Sequence, residues 1–220
     1  MRQRVDQVCA EFGVDGNPYL VSIQDGSLER DDFIATQCQF LFAVRYFSRP
    51  MSALLSRIPT NRQRVEILRN VWEEHGEGRL SQSHRQTFLT LLERLGVDPT
   101  TVESRGVWPE VDQFNFTLSG VCTLEDYRLG AAMLGMIEHI FGSISAQLGQ
   151  AIIHRGWLPE PDLTHYRQHE DLDVRHSGDF FALLEPDMET HGECIERGLR
   201  LGCSAFDTLY RGLYRARKRR

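Results

Sequence analysis

His169-Glu170-Asp171-Leu172-Asp173-Val174-Arg175-His176 is the segment on which the fold turns. His169, Asp173 and His176 stand at i, i+4 and i+7, a spacing that gathers them on one narrow stripe when the segment is an α-helix. Tyr166 and Phe180 extend that stripe, so it is the side expected to face a core. Two imidazoles and a carboxylate are costly to bury there unless they bind a cation or one another. HxxxDxxH is a moderately specific metal signature; the competing reading is a polar helix face with an accidental spacing.

Moving outward, Ala131-Ala132-Met133-Leu134-Gly135-Met136-Ile137-Glu138-His139-Ile140-Phe141 reads as part of a long apolar helix that carries one acid on a greasy face. The same-face neighbours of Glu138 are Leu134, Gly135, Phe141 and Gly142. An unpaired carboxylate in that setting is strongly destabilised by desolvation or stays protonated. The small neighbours would admit another helix or a metal ion. A core ion pair, with Arg45 for example, explains the position equally well. Further upstream, Glu74 continues the face of Ile67 and Val71, and His84 follows beyond a break at Gly76 and Gly78 that lets both reach one place. Glu73 and His75 compete with Glu74, and periodicity separates them only weakly.

Glu74, His84, Glu138, His169, Asp173 and His176 together supply oxygen and imidazole donors without thiolate, a set that suits iron or manganese better than structural zinc. Six donors, with carboxylates able to bridge, suffice for two ions and leave positions open for O2. A ferritin-like bundle would carry paired ExxH motifs, and the sequence contains none.

The remaining pattern is helical, with no convincing strand alternation. Helices are predicted over 2–12, 18–25 and 30–58, the last broken or kinked at Pro50. Another begins after an N-cap at Thr60 and ends near Glu74 or His75. A further helix covers 81–96, and residues 97–122 read as a long connection with at most a short helical piece after Pro109. Thr123, with Asp126 three residues on, opens a helix to about His154. The final helices are expected over 162–177 and from Gly178 to the basic tail, interrupted near Pro186. About seven helices make one all-α bundle over residues 1–220.

Composition closes off other classes. The 220 residues are 41% hydrophobic, 25% charged and 10% aromatic, enough to bury a core without disulfides. A net charge of −6 gives no electrostatic case for nucleic acid or an anionic membrane. Basic residues cluster from Arg211 to Arg220, where a helix end favours cations, and the single lysine, Lys218, sits there; Schiff-base chemistry is disfavoured. Cys9, Cys38, Cys122, Cys194 and Cys203 form no CxxC, and an odd number with no secretory signal predicts reduced thiols in a cytoplasm. No uninterrupted apolar run reaches the length of a membrane span.

The order Glu…His…Glu…HxxxDxxH resembles the haem-oxygenase-like di-iron oxidases and oxygenases, as does Asn17-Pro18-Tyr19-Leu20 before a helix rich in aromatics. That family includes bacterial N-oxygenases, amino-acid desaturating and fragmenting enzymes, a medium-chain fatty-acid decarboxylase and the chlamydial protein associating with death domains. The resemblance implies a haem-oxygenase-like helical domain, the six residues above as ligands of two Fe(II) ions, O2 as co-substrate, a small-molecule substrate and a homodimer. An amino acid or its derivative is the preferred substrate class, with desaturation, bond cleavage or oxygen insertion as the reaction. A fatty-acid decarboxylase and a non-catalytic metal-binding helical protein are the alternatives. The N-oxygenase branch carries a further ligating Glu on the helix that here contains Arg45-Tyr46-Phe47-Ser48, where no carboxylate occurs. The branch that makes p-aminobenzoate from its own tyrosine needs a core lysine, also missing. A haem oxygenase needs a proximal His in its first helix, yet the first histidine is His75; TenA-type thiaminases need a catalytic Cys with a base. Arg45, the one charge between Phe40 and Phe47, could clamp a substrate carboxylate, or serve as a core ion pair or surface residue. Tyr46 and Tyr166 could donate hydrogen bonds at the site, or pack the core.

Overall fold

Capping residues set the helix starts. Asn17, Thr60, Ser83 and Asp126 each accept a hydrogen bond from a backbone N–H in the first turn that follows, satisfying donors the helix leaves orphaned. The computed structural model describes residues 1–102 and 104–219, with residues 168–171 as backbone alone. Among the described residues the regular structure is helical, without strand: α1 Arg2–Phe12, α2 Pro18–Gln24, α3 Arg30–Arg57, α4 Asn61–Glu74, α5 His84–Arg94, a single turn α6 Pro99–Val102, α7 Pro109–Leu124, α8 Tyr127–His154, α9 Thr164–Leu184 and α10 Met188–Ala216.

Helix α8 is apolar around nearly its whole circumference and forms the axis of the bundle, as expected of a helix with neighbours on every side. Helices α9 and α10 pack along it, and α3 and α7 close the other side. Helices α4 and α5 lean on α3 and on α9, bringing four helices together at one seam. By length and composition α8 would pass for a membrane span, but 83% of its most apolar window is buried within the protein. It is a core helix.

The close approach of α8 and α9 depends on Gly135. A Cβ at that position would lie 2.7 Å from Phe180 Cβ and 3.0 Å from the Phe181 ring. With hydrogen there instead, α9 lies against α8, and Glu138, one turn on, faces it. At the other turn of the seam, Gly76 has φ +65, and a Cβ there would strike Ser83 N at 2.6 Å. Only glycine lets the chain double back tightly enough after α4.

Several boundaries differ from expectation. Helix α3 runs through Pro50, carried by burial of Phe47, Pro50, Met51 and Leu54 on one face. Residues 109–124 are a full helix rather than a connection: Val111, Phe114, Leu118 and Cys122 form its buried stripe. Polar Asn115, Thr117 and Ser119 dilute that pattern in the sequence. Helix α8 starts after Asp126, since Thr123 belongs to the end of α7. Gly178 lies inside α9, and the break before α10 is the 3-10 turn Glu185–Asp187 around Pro186.

Candidate metal centre

The last residue of α4 and the first of α5 meet across the Gly76 turn. Glu74 Oε2 lies 2.7 Å from His84 Nδ1. Both are buried, and they face Glu138 from mid-α8 and Asp173 and His176 from α9. Glu138 Oε1 stands 3.7 Å from His176 Nδ1, beyond hydrogen-bond reach. Neither of these two buried atoms has a hydrogen-bond partner among the described residues. One donor atom each from Glu74, Glu138 and His176 falls within 4.8 Å of the others. Asp173, 1% exposed, lies close enough to Glu138 for their charges to interact.

Three buried carboxylates crowded together must shed charge. Burial lifts Asp173 to about 8, with the charge of Glu74 adding to the rise and His84 and His176 opposing it. Burial likewise lifts Glu138 to about 7, partly offset by His176. The imidazoles rise too, although burial works against their charged forms. Glu138, then Glu74 and Glu73, lift His176 to about 10, and Glu74 foremost holds His84 above its ordinary value. The ion-free cluster therefore gathers protons where a cation would neutralise it, and its unpartnered Glu138 Oε1 and His176 Nδ1 fit a metal.

Glu73, read from the sequence only as a competitor of Glu74, has its own place. Its Oε2 accepts from His176 Nε2 at 2.7 Å and from Arg175 at 2.7 Å. That bond fixes the ring so that Nδ1 points at Glu138, the arrangement by which metal-binding imidazoles are oriented. His165 was missed altogether. It is fully buried, stacks on His84 at 5.3 Å between ring centroids and meets Thr87 Oγ1 through Nδ1 at 2.9 Å. The signal was available, because His165 precedes His169 by one turn on the same stripe. The side chain of His169 itself lies outside the described residues.

The remaining candidates stand apart from the cluster. Tyr46 is half-buried and its hydroxyl pairs with Ser119 Oγ at 3.0 Å, in the seam of α3 and α7. Tyr166 donates to Gln37 Oε1 at 2.8 Å, and Gln37 in turn donates to Tyr19 at 2.8 Å; a buried network on α3 holds it. Arg45 is exposed, stacked on the Phe42 ring at 4.4 Å, and Glu138 takes its ion-pair partner from α9 instead. Arg45 lines a groove of about 840 Å³ that also reaches Glu74 and His84. On the inner side of His84 and Glu138 lies a small apolar cavity, walled by Phe40, Val44, Phe47, Phe114, Phe141 and Phe206.

A family model described as iron-containing redox enzyme matches residues 35–206, an interval that holds all of these groups. The chain belongs to that family. Proteins of known structure extend the likeness in fold to nearly the full length. A CADD-like protein of unknown function from Nostoc punctiforme superposes with a TM-score of 0.80 at 15% identity, covering 97% of this chain and 95% of that one. A domain of unknown function with a heme oxygenase-like fold from Shewanella denitrificans gives 0.75 at 13% identity, with 97% and 90% covered. A TenA homologue from Pseudomonas syringae pv. tomato gives 0.73 at 15%, with the same coverage. At such identities the likeness is one of fold: the chain has the haem-oxygenase-like architecture. No curated protein matches it by sequence.

Proposed function

We propose that the protein is an O2-dependent non-haem di-iron oxidase or oxygenase acting on a small molecule. The observation that carries this reading is the buried meeting of Glu74, His84, Glu138, Asp173 and His176 beside an apolar cavity. Glu74, Glu138 and His176, with His84, Asp173 and His169, would hold two Fe(II) ions, which when bound would supply the electrons that activate O2. Glu73 orients His176 through Nε2. The phenylalanine walls would keep water from the face where a substrate C–H would lie. A proton held on Glu138 or Asp173 in the ion-free protein leaves when the cation enters.

The lining favours a substrate whose reacting part is hydrocarbon. An amino acid with an apolar side chain, or a derivative of one, is the first choice; its charged end would stay in the groove of Arg45. A medium-chain fatty acid is the second, supported by a cavity whose polar walls, among the described residues, are Glu138 and His84.

The test is anaerobic Fe(II) titration followed by exposure to O2, with O2 uptake measured alone and with L-leucine, L-phenylalanine or decanoate. Two Fe(II) per chain and faster uptake with one of these compounds are expected. Glu138→Gln should lower the rate at least about 100-fold, the scale of losing one charge-stabilising group at a reacting centre, with helical circular dichroism retained. Tight Fe(II) binding with no O2 uptake under any addition would support a non-catalytic metal protein instead.

A further inference from the structure

A fully buried imidazole needs a partner for its ring N–H, and His165 of α9 finds one on α5. Thr87 Oγ1 donates its single proton to the carbonyl of His84 at 3.0 Å, so toward His165 Nδ1, 2.9 Å away, that oxygen can only accept. The His165 ring therefore carries a proton on Nδ1 and donates it to Thr87. Its flat face lies on the ring of His84, with 5.3 Å between centroids and 26° between planes. The ring of Phe88 stands nearly perpendicular to it, 4.8 Å away between centroids. His84, Thr87 and Phe88 share the first turns of α5, so one ring from α9 is gripped where His84 begins that helix.

Another restraint on His84 is the contact of its Nδ1 with Glu74 at 2.7 Å. A ring tied at a single nitrogen can still tilt about that bond. Glu74 is moreover one of the three residues whose donor atoms fall within 4.8 Å of one another, so an entering cation competes for the carboxylate that restrains His84. The face contact with His165 carries no such conflict. It is set by Thr87 and Phe88, which stand outside the cluster of donors.

We propose that His165 is a positioning residue of the metal centre: its ring, locked by Thr87, backs the imidazole of His84 and fixes the plane in which His84 meets a cation. The stack carries the effect, and the bond to Thr87 keeps the stacked ring from turning. Glu73 orients His176 through a hydrogen bond, the usual device for metal-binding imidazoles; His165 does the same for His84 through a ring face. His165 has this role only if the seam binds a cation, as proposed above; the reaction performed there does not enter.

Anaerobic Co(II) titration of the full-length, ion-free protein tests this role, read by calorimetry for affinity and by visible absorption for the geometry around the bound ion. His165→Ala should weaken binding at least about tenfold and shift the Co(II) bands. His165→Phe, which keeps a ring against His84, should restore most of both. His165→Asn, which keeps a donor near Thr87 and removes the ring, should behave like His165→Ala. A role confined to packing would lower the melting temperature of the ion-free variants and leave the bands of the natural chain in place, which would overturn the proposal. Rescue by Asn and not by Phe would overturn it too, and the comparison of these two decides even where His165→Ala folds poorly. Failure of the natural chain itself to bind Co(II) would remove the cation site and this role with it. Normal binding with unchanged bands in all three variants would remove only the role of His165.

Discussion

His176 is held at one end, where Nε2 donates to Glu73, and its Nδ1 stands 3.7 Å from Glu138 Oε1. Removing Glu73 frees the ring to turn. Glu73→Ala should therefore weaken Mn(II) or Fe(II) binding about 10- to 100-fold, and Glu73→Gln, which keeps an acceptor, should lose less; titration calorimetry reads both, and an unchanged affinity in Glu73→Ala would refute the role. The same side chains set a pH dependence. Asp173, Glu138 and His176 all have folded values above their ordinary ones, at about 8, 7 and 10. A raised folded value stabilises the fold below the unfolded value, and that contribution is lost as pH rises through the folded one. The ion-free protein should thus lose stability on going from pH 6 to pH 9, by an amount on the order of a few kcal/mol. Urea midpoints across that range check it, and Glu138→Gln should flatten the decline. Metal affinity should move oppositely, rising with pH as protons vacate the donors. At this scale much of the cluster was legible, because helical spacing alone puts acids and imidazoles on apolar stripes. For Tyr46 the packing role is the one seen, its hydroxyl paired with Ser119 on α7.

Helix α8 meets α9 closely enough to share a site only because Gly135 carries no side chain. Gly135→Ala would press a methyl group into Phe180 Cβ, part of the side chain nearest the backbone and the least able to yield. Overpacking of this kind costs about 1–3 kcal/mol, and here it also parts Glu138 from Asp173 and His176. The expected result is a drop in stability by urea unfolding together with a loss of metal affinity larger than that of Gly178→Ala on the open side of α9. Equal affinities would show that the spacing of the two helices does not govern the site. Elements with a clear N-cap and either an amphipathic stripe, as in α4, or a long apolar run, as in α8, could be read from sequence to within a few residues. Helix α7 could not, because Asn115 and its hydroxyl-bearing neighbours sit among its buried positions. The passage of α3 through Pro50 likewise rests on tertiary burial, which no local rule contains.

The bundle as a whole is tied at one point by donors from α4, α5, α8 and α9. A cation that binds only the folded chain stabilises it by about 2.7 kcal/mol at a hundredfold excess over Kd, equivalent to some 5–10 °C in Tm for a chain of this length. Calorimetry with and without Mn(II) should show that rise, and hydrogen exchange should slow chiefly in α9. A rise spread evenly over all helices, or none, would argue against a centre at this seam. The donors are also far apart along the polypeptide, from Glu74 to His176. A ribosome delivers them in that order, so a nascent chain that has finished α8 still lacks the side of the cage that α9 provides. A cation held by donors from all four helices would therefore be bound only after α9 has been made.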